Sequence, residues 1–420
     1  MIMTREFPLR FGYIPYPLWR RSYPVGIKQA LYALYPALYP VRYDHHPPSS
    51  SADVADFLRR FALLPSATSA SIEGITPPII PPVASSQPAY PPKIRLIAQW
   101  EHLEAVLMSW CIFYPRIWSL HADMVRAIIP VAQVHVIVPN EWWARAVWAY
   151  LTEQGHLGAN AHQVKFIIIP TDDVWIRDYG PMLGYDADGR RGGVKAVYDH
   201  LPYYPQGRDN AMPLAWSAHT QTPLMPLDLH IEGGNLLTDG MGTLFTTQKT
   251  LVANPQFATS ADLQAYLHAV LDFDKLIITP RMRIERTGHI DLLMKLLDEK
   301  TVMLSTPSSK WDTARLDEVM SIFKSQTNAK GDPYHIIELP TPPLYFNWVV
   351  YPIRRSYTNA LTVNGRILVP IYQSKTDDIA IRRYEDHAKG YDIIPIDCSV
   401  GINGGGAIHC MTREVPIIQS

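Results

Sequence analysis

Near the end of this 420-residue chain, a single cysteine stands in a setting suited to nucleophilic chemistry. Cys410 closes the run Gly404-Gly405-Gly406-Ala407-Ile408-His409-Cys410. Three glycines permit a sharply folded backbone, positive φ included, and such a turn can present a thiol to a site. The competing reading is a small buried hydrophobe, the usual state of a free cysteine. Partners decide between the two: a nucleophile needs an acid–base group and charges gathered beside it.

Four other stretches carry such groups. Thr171-Asp172-Asp173-Val174-Trp175-Ile176-Arg177-Asp178-Tyr179-Gly180-Pro181 follows a strand-like run, and charges at the end of a buried strand are costly unless they pair or bind something. Arg177 could form a structural ion pair with Asp172 or Asp173; Asp178 sits directly before the Gly-Pro turn. Ile231-Glu232-Gly233-Gly234-Asn235 sets paired glycines beside an acid and, alone, is only a turn. In Thr287-Gly288-His289-Ile290-Asp291, an extended backbone would turn His289 and Asp291 to one face, where a base and a carboxylate could meet one substrate. Tyr357-Thr358-Asn359 opens the last hairpin, and Asn359 is either a polar contact or the residue that begins a strand.

Composition narrows the classes. With 38 Lys plus Arg against 39 Asp plus Glu, no net field draws the chain to nucleic acid or an anionic membrane. The three cysteines, Cys111, Cys398 and Cys410, lack the spacing of a disulfide framework or a zinc site. A reducing compartment follows, and with no apolar run near ~20 residues the expectation is a cytoplasmic protein outside the membrane. The apolar fraction of 47% is enough for a substantial core.

The elements that must position these residues fall in two parts. Residues 1–92 are Pro- and Tyr-rich, as in Leu31-Tyr32-Ala33-Leu34-Tyr35-Pro36 and Pro77-Pro78-Ile79-Ile80-Pro81-Pro82, and are expected to form a poorly ordered extension. One short helix is expected after Ser50, with Ser51 or Asp53 capping Val54, Phe57, Leu58 and Phe61. From 93 to 420 the pattern is β-α-β: strands over 104–110, 134–138, 164–169 and 276–278, helices over 118–129, 142–151 and 263–271. Hairpin turns stand at Ala187-Asp188-Gly189, Asp239-Gly240-Met241-Gly242 and Asn364-Gly365. Hairpins interleaved with crossover helices predict an α/β fold of small hairpin-plus-helix units arranged around an axis.

Taken together, Trp175-Ile176-Arg177-Asp178-Tyr179-Gly180-Pro181, Glu232-Gly233-Gly234-Asn235, Gly288-His289-Ile290-Asp291 and the Gly404 to Cys410 run resemble, in order, the agmatine deiminase and Porphyromonas-type peptidylarginine deiminase family of guanidino-group-modifying proteins. The resemblance implies a five-bladed, pseudo-fivefold α/β propeller (pentein-like) with the site in its central channel. It implies Cys410 as nucleophile, His289 as general acid/base, Asp178 and Asp291 as the carboxylates that grip a guanidinium, and Glu232, Asn359, Trp175 and Arg177 as further substrate contacts. The implied reaction is cysteine-dependent hydrolysis of a guanidinium to a ureido product and ammonia, with no metal or organic cofactor.

The implied substrates are a small guanidinium compound or an arginine-containing peptide. Met411-Thr412-Arg413-Glu414-Val415-Pro416 and Tyr357-Thr358-Asn359 stand closer to the peptidylarginine branch; agmatine deimination, which feeds putrescine biosynthesis, is the alternative. In the agmatine branch a histidine follows Trp-Glu-Pro, whereas this chain reads Trp100-Glu101-His102-Leu103-Glu104. Two further readings share the fold: amidinotransfer through the same covalent intermediate, and a silent binding protein that uses the N-terminal tyrosines. A homo-oligomer is compatible with all of them.

Overall fold

The computed structural model describes residues 48–83, 93–110, 115–199, 206–282, 285, 287–308, 312–346 and 352–419. Cys111, the Tyr/Pro run around 31–40 and the linker 85–92 lie outside them.

Five sheets share one plan. In each, a strand pairs antiparallel with a second, and the second pairs parallel with a third reached through a helix. Met182–Tyr185, Arg191–Val197 and Leu224–His230 follow it across helix Gly207–Thr220. Leu237–Thr238, Thr243–Thr247 and Lys275–Thr279 repeat it across Ser260–His268. Met294–Leu296, Thr301–Ser305 and His335–Leu339 do so across Thr313–Ser325, and Leu361–Val363, Arg366–Ile371 and Asp392–Asp397 across Asp377–His387. In the fifth, the antiparallel strand comes from the C-terminal end: Arg413–Pro416 pairs with Leu103–Ser109, which runs parallel to Gln133–Val138 across Trp118–Ile128.

The hairpin turns lie where the sequence places them. Gly189, Gly240, Gly242, Asn364 and Gly365 all have positive φ, the backbone that tight hairpin turns require. The helix expected over 263–271 begins earlier, because the Thr259 side chain accepts from the Asp262 amide in a capping box.

The expectation of little order over 1–92 fails for residues 48–83. Helix Ser51–Arg60 forms, capped by Ser50 rather than Ser51 or Asp53. Val54, Phe57 and Leu58 repeat at helical spacing, so one face is apolar. That face is buried in the main core, where the Phe57 ring lies 4.8 Å from Trp143 and Trp143 lies 5.4 Å edge-on from Trp118. The Pro-rich segment is also tied down: the Ile80 amide donates to Phe166 O at 2.8 Å and the Phe166 amide to Pro78 O at 2.9 Å. Proline is tolerated there because the segment forms an edge. Among the described residues, no helix is long and apolar enough to cross a membrane.

Candidate active site

Each of the five sheets carries one of the singled-out motifs in the same place, the few residues before its antiparallel strand. Asp178 precedes Met182–Tyr185, Glu232 precedes Leu237–Thr238, His289 and Asp291 precede Met294–Leu296, Asn359 precedes Leu361–Val363, and Cys410 precedes Arg413–Pro416. The strands are buried, so the residues that lead into them are buried as well, and the tertiary fold brings them together.

His289 lies at the centre. Its Nε2 is 2.8 Å from Glu232 Oε2, and its Nδ1 is 3.6 Å from Asp178 Oδ1. Glu232 Oε2 also accepts from Lys249 Nζ at 2.9 Å. Burial alone would strip the imidazole of its proton, yet the charges of Asp178 and Glu232 and its bonds to Cys410 and Glu232 hold its pKa well above the ordinary range. His289 is therefore an imidazolium, an acid with a proton to give.

Asn359 ties the cysteine turn to the carboxylate. Its Nδ2 lies 3.2 Å from Cys410 Sγ and 3.0 Å from Asp291 Oδ2, and its Oδ1 accepts the Ala407 amide at 3.1 Å and the Cys410 amide at 3.3 Å. It is more than a strand-opening residue. The Cys410 thiol is pushed up to about 12, first by burial and then by the Asp291 charge, with the bond to His289 acting against them. Asp291 is raised to about 7 by burial, against the pull of His289. Its Oδ1 is buried with no hydrogen-bond partner. The site is thus anionic in design and short of one cation.

Two glycines let its groups close in on one another. A Cβ on Gly234 would lie 2.6 Å from His289 Nδ1, 3.1 Å from Asp178 Oδ1 and 3.2 Å from Asp291 Oδ2. A Cβ on Gly406 would overlap the Trp175 ring and approach Cys410 Sγ to 3.0 Å. Of the three glycines before the cysteine, only Gly405 uses positive φ; Gly406 serves by what it lacks.

Two expectations are corrected. His289 and Asp291 converge without a strand, because Ile290–Leu292 is a 3-10 turn that swings both toward Gly234. Arg177 pairs with neither Asp172 nor Asp173. It forms a bidentate bridge to Glu414 at 2.6 and 2.7 Å and donates Nε to His409 O, so its guanidinium braces the cysteine segment from behind. Arg354 and Arg355 are likewise held within the protein: Arg354 is buried against Asp312, and Arg355 lies 5.2 Å from the Tyr345 ring and donates to Pro343 O.

The sequence reading missed a chain behind Asp291. Lys295 Nζ donates to Gln99 Oε1 at 2.8 Å, Gln99 Nε2 meets His409 Nε2 at 2.9 Å, and His409 Nδ1 meets Asp291 Oδ2 at 2.7 Å. Burial and the charges of Arg177 and Lys295 keep His409 neutral, so it can accept from Gln99 and donate to Asp291. One signal was available, a lysine inside the apolar run Leu293-Met294-Lys295-Leu296. Asp178, Glu232 and His289 also offer ligand atoms within 4.8 Å of one another; with its ring protonated, His289 is a cation paired to the two carboxylates and not a ligand.

The model of the Porphyromonas-type peptidyl-arginine deiminase family matches residues 95–416. The chain belongs to that family. The family stretch covers all five sheets and every residue of the site. Among its relatives, agmatine deiminase of Pseudomonas fluorescens is 27% identical over 354 residues, 76% of this chain and 94% of its own length. Solved structures share the fold: agmatine deiminase of Enterococcus faecalis superposes with a TM-score of 0.68 at 19% identity, covering 81% of this chain and 99% of that one. The C. jejuni enzyme of the same name gives 0.67 at 20% identity, over 78% and 98%.

Proposed function

We propose that this chain hydrolyses a guanidinium group to a ureido group and ammonia, with Cys410 as nucleophile. The observation that carries this reading is the convergence around Gly234 and Gly406 of two carboxylates, an imidazolium and a thiol. A guanidinium is planar, cationic and rich in paired N–H donors, so Asp178 and Asp291 can each accept from it and set its carbon over the sulfur.

The bound cation also changes the thiol. Its charge opposes what burial and Asp291 do to Cys410, and the thiol proton leaves to solvent on binding. The thiolate attacks the guanidinium carbon and forms a C–S bond. His289 gives its proton to one nitrogen, the C–N bond breaks, and ammonia departs from a cationic amidino-thioether. The neutral imidazole then takes a proton from water, hydroxide adds to the same carbon, and collapse expels the thiolate. The spare hydroxyl proton goes to ammonia, so substrate cation plus water yields ureido product plus ammonium. Glu232 orients His289, and Asn359 holds Cys410 beside Asp291. Trp175 walls the cysteine turn.

We further infer that the five like sheets stand as blades around a pseudo-fivefold axis with the site on it. Their common plan, the common position of the site residues and the pairing of Arg413–Pro416 with Leu103–Ser109 support this reading. The substrate is a small guanidinium or a peptidyl arginine: the family description favours arginine in a peptide, and the named relatives favour agmatine. A cytoplasmic location fits either. Incubation of the purified chain with agmatine, arginine and a peptide ending in arginine, with ureido product and ammonia assayed, tests the reading. Product from one of the three is expected; none from any would defeat it. An added acceptor amine that captured the amidino group would replace hydrolysis by transfer.

A further inference from the structure

A cavity of about 40 Å³ lies behind the cysteine segment, its polar wall formed by Gln99, Thr238, Arg413 and the Arg177–Glu414 pair and its apolar wall by Leu96, Leu183, Leu236, Leu237 and Ile97. That volume holds about three waters, or one halide with a water. Arg413 is nine-tenths buried, yet its guanidinium is bonded only through Nε, to Pro181 O at 2.7 Å. Its Nη1 and Nη2 have no hydrogen-bond acceptor among the described residues. Thr238 Oγ1 accepts from the Gly240 amide at 2.9 Å, and its own hydroxyl proton is uncommitted.

The nearby acid does not neutralise Arg413. Both oxygens of Glu414 are engaged by Arg177, so that pair is neutral on its own and leaves Arg413 as an additional positive charge. Asp178, on the active-site side, is the other acid near enough to act on Arg413 by charge, but neither it nor Glu414 is bonded to the guanidinium, and a buried charge whose terminal nitrogens lack acceptors is costly. Burial and the Arg177 charge outweigh the pull of Glu414 and Asp178 and bring the Arg413 pKa down to about 9, which is the electrostatic sign of that cost.

We propose that this cavity binds one small monovalent anion, of the halide or nitrate class, on the terminal nitrogens of Arg413 with Thr238 as second donor. The leucine walls suit a weakly hydrated monovalent anion and make the desolvation of sulfate or phosphate, doubly charged and strongly hydrated, too costly. Binding bears on the active site through position. Arg413 follows Cys410 by three residues, and its Nη1 lies 2.9 Å from where a Cβ on Gly233 would be, beside Glu232 and Gly234. The anion fixes the Cys410 turn and the Glu232 loop against each other. This inference does not depend on the reaction assigned above.

Line broadening of the chloride resonance by the full chain, at constant ionic strength balanced with gluconate, tests it without an activity assay. A saturable component at millimolar chloride, displaced by bromide or nitrate but not by sulfate, is expected, with a Tm gain of roughly 2 °C. Broadening that never saturates overturns the proposal. Arg413→Met should abolish the saturable component and Arg413→Lys should retain part of it; a folded Arg413→Met protein that still binds overturns it. Should Arg413→Met fail to fold, bromide-soaked wild-type crystals decide: an anomalous peak at the Arg413 nitrogens supports the site, and its absence there overturns it.

Discussion

Two histidines, both all but inaccessible, show how differently two regions of this chain treat charge. His121 lies beside Trp110 and Trp118 in the aromatic core, its ring 5.0 Å from Trp110, with neither ring nitrogen bonded. Burial acts there unopposed and drives its pKa down to about 3. His289 suffers the same burial, but Asp178 and Glu232 outweigh it and keep the ring charged. The core lowers its energy by excluding charge, whereas the site holds charge that only a bound cation fully repays. Stability and chemistry are therefore separable, and substitutions in the two regions should read out differently.

The largest effect belongs to Cys410, the nucleophile of the proposed reaction. Cys410→Ala is expected to lower kcat by at least about 10⁴-fold while leaving Tm within roughly 2 °C, since a small buried thiol contributes little packing. A large loss of Tm with kcat reduced only in proportion to unfolding would return Cys410 to the core reading.

Filling the space between the charged groups comes next. Gly234→Ala is expected to lower kcat/KM by about 10²- to 10³-fold, because its Cβ enters the position a guanidinium would take and disturbs groups that need sub-ångström placement. Gly207→Ala is the control: a Cβ there meets nothing within 4 Å, and kcat/KM should be unchanged. Equal losses at both glycines would mean that the Gly234 space is not the site.

The core side of the comparison is tested at Phe57. Removal of its ring from Trp143 is expected to cost about 3–5 kcal/mol in a denaturant titration, with kcat/KM per folded molecule unchanged. A neutral Phe57→Ala would detach residues 48–83 from the cooperative core.

The pH dependences should have opposite origins. With Asp291 at about 7, its acid form dominates below that pH and cannot hold a cation, so kcat/KM should climb up to tenfold per pH unit and level off above about 7. Asp291→Asn should be slow at every pH and lack that limb; retention of the limb would assign it elsewhere.

The smallest effect is at His121. Its folded pKa of about 3 lies below the unfolded value of about 6.5, so between them the unfolded chain binds the extra proton and stability falls as pH drops through that window. At pH 5 this amounts to about 2 kcal/mol, which His121→Leu should recover; above pH 7 the two proteins should differ little beyond packing. An identical acid profile for both would exclude His121 as the source.

Much of the fold was legible because it rests on local rules. Hairpin turns such as Asn364-Gly365 need positive φ, and the helices between strands carry apolar residues at a spacing that can be counted. The extension was misread over 48–83 because proline density speaks against regular structure and says nothing about docking: Phe57 is ordered by Trp118 and Trp143, far along the chain. Arg177 was misread for a like reason, since its partner Glu414 is more than two hundred residues away.

The site divides along the same line. Residue type and local spacing raised Asp178, His289, Asp291 and Cys410 as candidates and left Glu232 and Asn359 open; the resemblance of the four motifs, in order, to a known family is what joined all six into one site. Which of them are charged, which carboxylate oxygen is left unpaired, what Arg177 and Arg413 do, and that a Cβ at Gly234 or Gly406 would close the site were decided only by tertiary structure. Burial and Coulomb energies depend on distances between groups from five separate sheets, and no local stretch of sequence encodes those distances.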